Sequence, residues 1–151
     1  MITPQETDAA TVAQLIQLAL GPVFLISGVG VTLNVFTSRL ARVVDRARKV
    51  EQDLAASSDA AQRAAFERTL AVSARRARLI NTAVTLATSS ALLTAIVVVM
   101  LFSSTLLPID FSAAIATLFV ISMLCLAGAF LVFLVEVRIA TAALRIGGRS
   151  S

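Results

Sequence analysis

The sequence predicts an all-α membrane protein with three transmembrane helices, the first two extended into a cytoplasmic helical hairpin. Three observations carry that expectation. Hydrophobic residues make up 58% of the 151-residue chain and charged residues 15%, against about half and about a quarter in soluble domains. The charges are confined, which leaves uncharged runs at 9–38, 79–109 and 111–135. The basic residues gather in two segments, "TSRLARVVDRARKVEQD" at 37–53 and "ARRARLIN" at 74–81.

Each uncharged run is long enough to span, since about 20 residues at 1.5 Å each cross roughly 30 Å of hydrocarbon. A segment in lipid must satisfy its own backbone, so each run is expected to be a helix. The spans fall at about 12–36, 80–107 and 111–135 of a single membrane domain, 1–151. The first run lacks the marks of a secretory signal. Glu6 and Asp8 precede it without any Lys or Arg, no small-x-small cleavage site follows, and it exceeds the length of a signal core. It is read as a retained span. Gly21–Pro22 removes a backbone donor within it and is expected to kink the helix, either as a tolerated membrane proline or as a hinge. "LLPID" at 106–110 reads as a tight outer turn, with Pro108 ending one helix and Asp110 capping the next.

Orientation follows from charge. The connection 39–78 holds ten Lys or Arg against five Asp or Glu, and the tail 136–151 holds three Arg against Glu136. The N-terminus carries only Glu6 and Asp8, and the turn between spans two and three only Asp110. The positive-inside rule puts the connection and the tail in the cytoplasm and the N-terminus outside. Arg outnumbers Lys twelve to one, a bias of GC-rich bacterial genomes. Together with the family resemblance given below, this makes the bacterial cytoplasmic (inner) membrane the expected location.

Leu40, Val43, Val44, Ala47, Val50 and Leu54 recur at helical spacing, and Phe66, Leu70, Ala74 and Ala77 form a second stripe. "ASSDAAQ" breaks the two, with Asp59 and Gln62 in capping-box spacing. The hairpin is therefore expected over about 38–78. A turn centred on Ser57–Ser58 makes facing residue numbers sum to about 115, which sets Val43 near Val72, Arg48 near Glu67 and Asn34 level with Asn81. Arg48, Glu67, Asn34 and Asn81 are thus candidate structural polar contacts, the amides either pairing or facing headgroups. Glu136 joins them. It ends the third span, where an unpaired acid is costly, and its candidate partners are Arg39, Arg42 and Arg78. Asp45 with Arg42, Arg48 and Lys49, and Lys49 with Asp53, have helical pairing distances. Arg39, Arg42, Arg75, Arg76, Arg78 and Arg138 cluster at the helix ends and are candidate contacts to anionic lipid headgroups.

Ala83, Ala87, Ala91 and Ala95 repeat every four residues in span two, and Ala113, Thr117, Cys125 and Ala129 share a ridge in span three. Gly28 and Gly30 are read as a close-approach site in span one. Small residues let helices pack closely in lipid, so these ridges argue for tight packing of spans two and three or for a homo-oligomer.

The chain has no His, Trp or Tyr and one Cys, which excludes imidazole chemistry and an internal disulfide. Cys125 sits in an apolar run and reads as a buried thiol. No nucleophile–base set, metal-ligand cluster or phosphate loop is present, so no catalytic, cofactor or metal residue is expected, and the chain does not read as an enzyme. Nucleic acid is not an expected partner, because no aromatic residue interleaves with the basic ones. The expected partners are the anionic bilayer, further copies of the chain, or a cytoplasmic protein. A structural or regulatory role through the basic hairpin is the leading expectation. The rival is a homo-oligomeric channel or transport accessory, whose pore would be lined by Thr82, Thr85, Thr88 and Ser89.

"LNVFTSRLARVVDRAR" at 33–48, "ARRARLIN" at 74–81 and "FLVEVRIAT" at 133–141, in that order, resemble the bacterial domain-of-unknown-function 2721 family over about residues 10–144. The resemblance implies a small three-span membrane protein. It marks Arg39, Arg42, Asp45, Arg46, Arg78, Asn81, Glu136 and Arg138 as family-pattern positions and brings no activity to carry over.

Overall fold

The computed structural model describes the backbone of residues 4–106 and 111–146, and side chains over 12–104 and 111–140. Three helices follow one another: α1 (Pro4–Ala56), α2 (Ala60–Leu106) and α3 (Ser112–Ile146). No strand occurs among the described residues. The helices hold 53, 47 and 35 residues, which makes them roughly 80, 70 and 50 Å long at 1.5 Å per residue. Each exceeds the roughly 30 Å of a hydrocarbon core.

All three contain stretches apolar enough to cross a membrane, with mean hydropathies of 1.9, 2.2 and 2.8. In those stretches only 11%, 22% and 11% of the residues are buried. Phe24, Val31 and Leu124 stand 73%, 70% and 66% exposed. An apolar surface on this scale has no stable place in water, whereas in a bilayer it is the face that meets the solvent. The chain is a multi-pass membrane protein.

The first connection is short. Residues 57–59 separate α1 from α2, and the Ser57 amide donates to the Leu54 carbonyl at 3.3 Å. Asp59 caps α2: its Oδ1 accepts the Ala61 amide at 3.1 Å, and its carbonyl accepts the Arg63 amide at 3.0 Å. The expected capping box closes on one side only, because Gln62 Oε1 accepts the Ser57 hydroxyl at 3.1 Å. α1 runs unbroken through Pro22, although the proline supplies no amide to the carbonyl four residues earlier. The turn residues 107–110, with Pro108 and Asp110, lie outside the described residues. α3 opens after Phe111, whose carbonyl accepts the Ile115 amide at 2.9 Å.

Contacts gather into two compact units, Met1–Thr32 with Ala87–Leu126 and Leu33–Leu86 with Ala127–Ser151. In the first, Val29, Ala87 and Val97 are buried, and so are three hydroxyls. Ser122 Oγ on α3 lies 3.1 Å from Ser90 Oγ, 2.6 Å from Thr94 Oγ1 and 2.9 Å from the Ser90 carbonyl on α2. Thr94 Oγ1 donates to that carbonyl at 2.9 Å. The four atoms satisfy one another, so this polar group can sit between two apolar helices. Gly28 and Gly30 differ from expectation within the chain: a Cβ at either would meet open space, so they mark no close approach to another of its described helices.

In the second unit Phe36, Ile80, Ala83 and Ala129 are 0–1% exposed. Phe36 meets Phe130 edge-on at 6.3 Å and lies tilted 4.5 Å from Phe133. Val43 on α1 and Ser73 on α2 are buried and line the same cavity. The sequence register set Val43 near Val72. Val72 is 47% exposed, one residue out of phase with the buried side.

Ser122→Ala removes the cross-helix hydroxyl and is expected to cost about 0.6–1.7 kcal/mol. Thr88→Val, at an exposed position on α2, is expected to stay within about 0.5 kcal/mol. Reversible unfolding in mixed micelles compares the two. Equal losses would mean that the hydroxyl network does not tie α2 to α3.

Candidate functional site

The site begins at Glu136. The third uncharged run ends one residue before it, and α3 buries its side chain completely. A carboxylate withdrawn from solvent needs compensating charge. α2 supplies Arg76, whose Nε and Nη2 donate to Glu136 Oε1 at 3.0 and 2.8 Å. α1 supplies Arg39, whose Nη1 stands 3.6 Å from Oε2. Oε2 has no hydrogen bond, so the Arg39 charge is what compensates it. Arg39 also lies over the Phe133 ring, 5.1 Å from its centroid, and Phe133 rests on Phe36. Three helices therefore meet at one carboxylate, and an aromatic pair props one of its two cations.

Of the expected partners of Glu136, the structure brings up Arg39. Arg76, assigned from sequence to lipid headgroups, makes the closer contact. Arg42 and Arg78 form no ion pair among the described residues, nor does Arg75. Arg138 has an interaction of its own. Arg48 and Glu67 are both exposed and unbridged, and no ion pair joins Asp45 or Asp53 to its helical neighbours. Exposed pairs gain too little to hold two long side chains in place. Asn34 and Asn81 are exposed, and no hydrogen bond joins them. Thr82 and Thr85 donate to the carbonyls of Arg78 and Asn81 at 3.0 Å, bonds within their own helix.

Beside the Glu136 pair lies a cavity of about 350 Å³ lined by Arg39, Arg42, Val43, Arg46, Ser73 and Arg76. Four arginines line it, and two of them are engaged by Glu136. A second cavity, about 440 Å³, shares Arg46, Ser73 and Arg76 and adds Arg68. Helical geometry builds the convergence: Arg39, Arg42 and Arg46 follow at three and four residues on α1, and Ser73 and Arg76 at three on α2. Sequence reasoning missed Ser73 and Arg46 as cavity residues. The signal was there, since both sit in phase with residues assigned to the apolar interface or the basic face. Among the described residues no three His, Cys, Asp or Glu side chains gather as a metal site would require.

The family profile described as protein of unknown function (DUF2721) matches residues 19–146. The chain belongs to the DUF2721 family. That match spans all of the cavity residues, together with Glu136 and the Ser90–Thr94–Ser122 network. No curated protein and no solved structure gives a significant match. The arrangement that a DUF2721 chain presents here is one buried acid held by two cations, with Arg42 and Arg46 beside them on α1.

Arg76→Met would leave Glu136 with Arg39 alone at 3.6 Å. The expected loss is about 3 kcal/mol, at the low end for a broken buried pair because Arg76 keeps 25% of its side chain exposed. The double variant Arg76→Met with Glu136→Leu is expected to be more stable than Arg76→Met, since the stranded charge is gone. Unfolding midpoints in mixed micelles measure both, and strictly additive losses would rule out the coupling.

Proposed function

We propose that this DUF2721 chain is a structural or regulatory protein of the bacterial cytoplasmic membrane. In this reading its hairpin, about 38–78, stands on the cytoplasmic side and engages the anionic leaflet. One observation carries the reading. Arg42, Arg46, Arg68, Arg75 and Arg78 have no acidic side chain within ion-pair distance among the described residues. Arg42, Arg75 and Arg78 lie within about one turn of the uncharged runs, where an anionic leaflet supplies about 1 kcal/mol per cation, while Arg46 and Arg68 stand farther out. The excess of basic residues between the first two spans gives the side of the membrane. A binding role for the hairpin fits this arrangement better than catalysis, because the cations surround an acid that is already paired and the cavity brings no nucleophile with a neighbouring base.

Orientation is open to direct measurement in a Cys125→Ser background. Ser58→Cys, in the turn between α1 and α2, is expected to react with a membrane-impermeant maleimide only after the cell membrane is opened. Ser112→Cys, at the start of α3, is expected to react in intact spheroplasts. The reverse pattern would place the hairpin outside and end this reading.

A further inference from the structure

We propose that the arginine-lined cavity is a binding site for a phosphate monoester, with Arg42, Arg46 and the Ser73 hydroxyl as its principal ligands and Arg76 as a shared one. The inference deepens the proposed engagement of the anionic leaflet, and for the identity of the ligand's source it rests on that reading.

The first observation is charge without a partner. Arg42 and Arg46, four residues apart on α1, line the cavity and pair with no acid among the described residues. Glu136 is taken by Arg76 and Arg39, and Asp45, beside Arg46 in sequence, is exposed and makes no ion pair. Arg76 has five N–H donors and gives Glu136 only Nε and one Nη2 bond. Its remaining donors are free to serve an occupant of the cavity that it lines.

A second observation is independent of charge. Ser73 is 8% exposed as a residue, and no hydrogen bond joins its hydroxyl to another described group. Glu136 Oε2 rather than Ser73 Oγ is the buried polar atom left unbonded, so the hydroxyl opens onto the cavity. Ser90, Thr94 and Ser122, the fully buried hydroxyls, all bond to one another or to the backbone. Even the exposed Thr69, one turn earlier on the same helix, donates to its Ala65 carbonyl. Ser73 lines both cavities instead, with its donor available to whatever enters.

The donor set selects the ligand. Guanidinium groups match tetrahedral oxyanions through paired N–H donors, a fit that a lysine ammonium lacks. Two unpaired guanidiniums, one partly engaged guanidinium and one hydroxyl suit an anion with three terminal oxygens and nearly two charges at neutral pH. A phosphate monoester has both properties. A phosphodiester offers two terminal oxygens and one charge, and a carboxylate the same. The cavity's roughly 350 Å³ admits the phosphate with part of its substituent, and the adjoining cavity, with Arg68, receives more of it.

The same chemistry has two sources, a lipid headgroup or a soluble phosphate compound. Helical rise puts Arg42 and Arg46 about 4.5 and about 10.5 Å beyond Arg39, the first charge after the uncharged run of span one. The polar layer on each face of a bilayer is roughly 5–7 Å thick. Arg42 would then lie within that layer and Arg46 just beyond it, so the site would straddle the outer edge of the lipid headgroups.

The experiment uses the full chain in nanodiscs of phosphatidylcholine containing either phosphatidic acid, a monoester, or phosphatidylglycerol, a diester, at matched negative charge. Intact-protein mass spectrometry counts the retained lipid, and inorganic phosphate in the buffer is the soluble competitor. Phosphatidic acid is expected to be retained over phosphatidylglycerol. Arg42→Gln with Arg46→Gln is expected to weaken that retention about tenfold or more, and Ser73→Ala a few-fold. Arg63→Gln, at an exposed position outside the cavity, is expected to leave it unchanged. Displacement by inorganic phosphate in the wild type, lost in the double variant, assigns the same site to a soluble phosphate. Wild-type retention of both lipids by the double variant and by Ser73→Ala overturns the site while leaving the anionic-surface reading intact. No preference for either anionic lipid over phosphatidylcholine overturns both. Arg42 and Arg46 are exposed and unpaired, so the double variant is expected to fold, and its unfolding midpoint verifies this. Ser73→Ala, which removes one unbonded hydroxyl, is a second variant that needs no change of charge.

Discussion

A single carboxylate with no exposure to solvent governs the charged unit of this protein. Glu136 cannot remain charged there alone, and the two cations that answer it come from two other helices. Meeting that demand fixes several things at once. It sets the facing positions of α1 and α2, since Arg39 and Arg76 must reach the same side chain. It draws the Arg39 side chain across the Phe133 ring, and Phe36 backs that ring. A buried ion pair contributes little net stability compared with a well-packed apolar substitute. Its consequence is positional: a shift of either helix by one residue would leave a charge in the interior.

The two units hold themselves together by different chemistry, and the bilayer explains why neither relies on apolar burial. Hydrocarbon around a helix is as apolar as the helix surface, so bringing two leucines together gains little. In the unit formed by Met1–Thr32 and Ala87–Leu126, small side chains such as Ala87 permit close approach, and three hydroxyls bond across α2 and α3. The unit formed by Leu33–Leu86 and Ala127–Ser151 uses the Phe36 aromatic cluster and the Glu136 pairs. In both, polar groups supply direction, and apolar groups supply the lipid-compatible exterior, with Phe24 and Leu131 exposed at 73% and 64%.

Most of the architecture was legible because its causes are additive along the chain. Uncharged length gives the spans, and "ASSDAAQ" gives the break between α1 and α2. The need of Glu136 for a cation was legible too, since an acid at the end of an apolar run has few alternatives. Which cation answers it was not. Arg39, Arg42, Arg76 and Arg78 all lie within about one turn of the right level, and an arginine side chain reaches across that distance. Only the rotational phase of α1 and α2 discriminates among them, and periodicity fixes that phase to about one residue. The same limit turned Val72 outward where Ser73 is buried. It also hid the Ser90–Thr94–Ser122 network, because pairing hydroxyls on α2 with one on α3 depends on the relative rotation of two helices. Gly28 and Gly30 failed for another reason. A small residue permits a close approach but supplies no partner to make one.

Arginine dominance over lysine, twelve to one, acquires a local meaning at the cavity. A lysine in place of Arg76 could satisfy Glu136 as a point charge but would have no planar fork with which to face a second group at the same time. Arg76 does both: Nε and Nη2 hold the acid, and the residue also lines the cavity with Arg42, Arg46 and Ser73. The buried carboxylate thereby orients a cation for use elsewhere, and the cost of burying Glu136 is offset by a guanidinium that cannot swing away. Arg42 and Arg46 have no such anchor. Both are exposed, so water and salt screen most of their repulsion with each other and with Arg76, and an anion in the space between them would relieve what is left. An acid at the position of Ser73 would have taken that place.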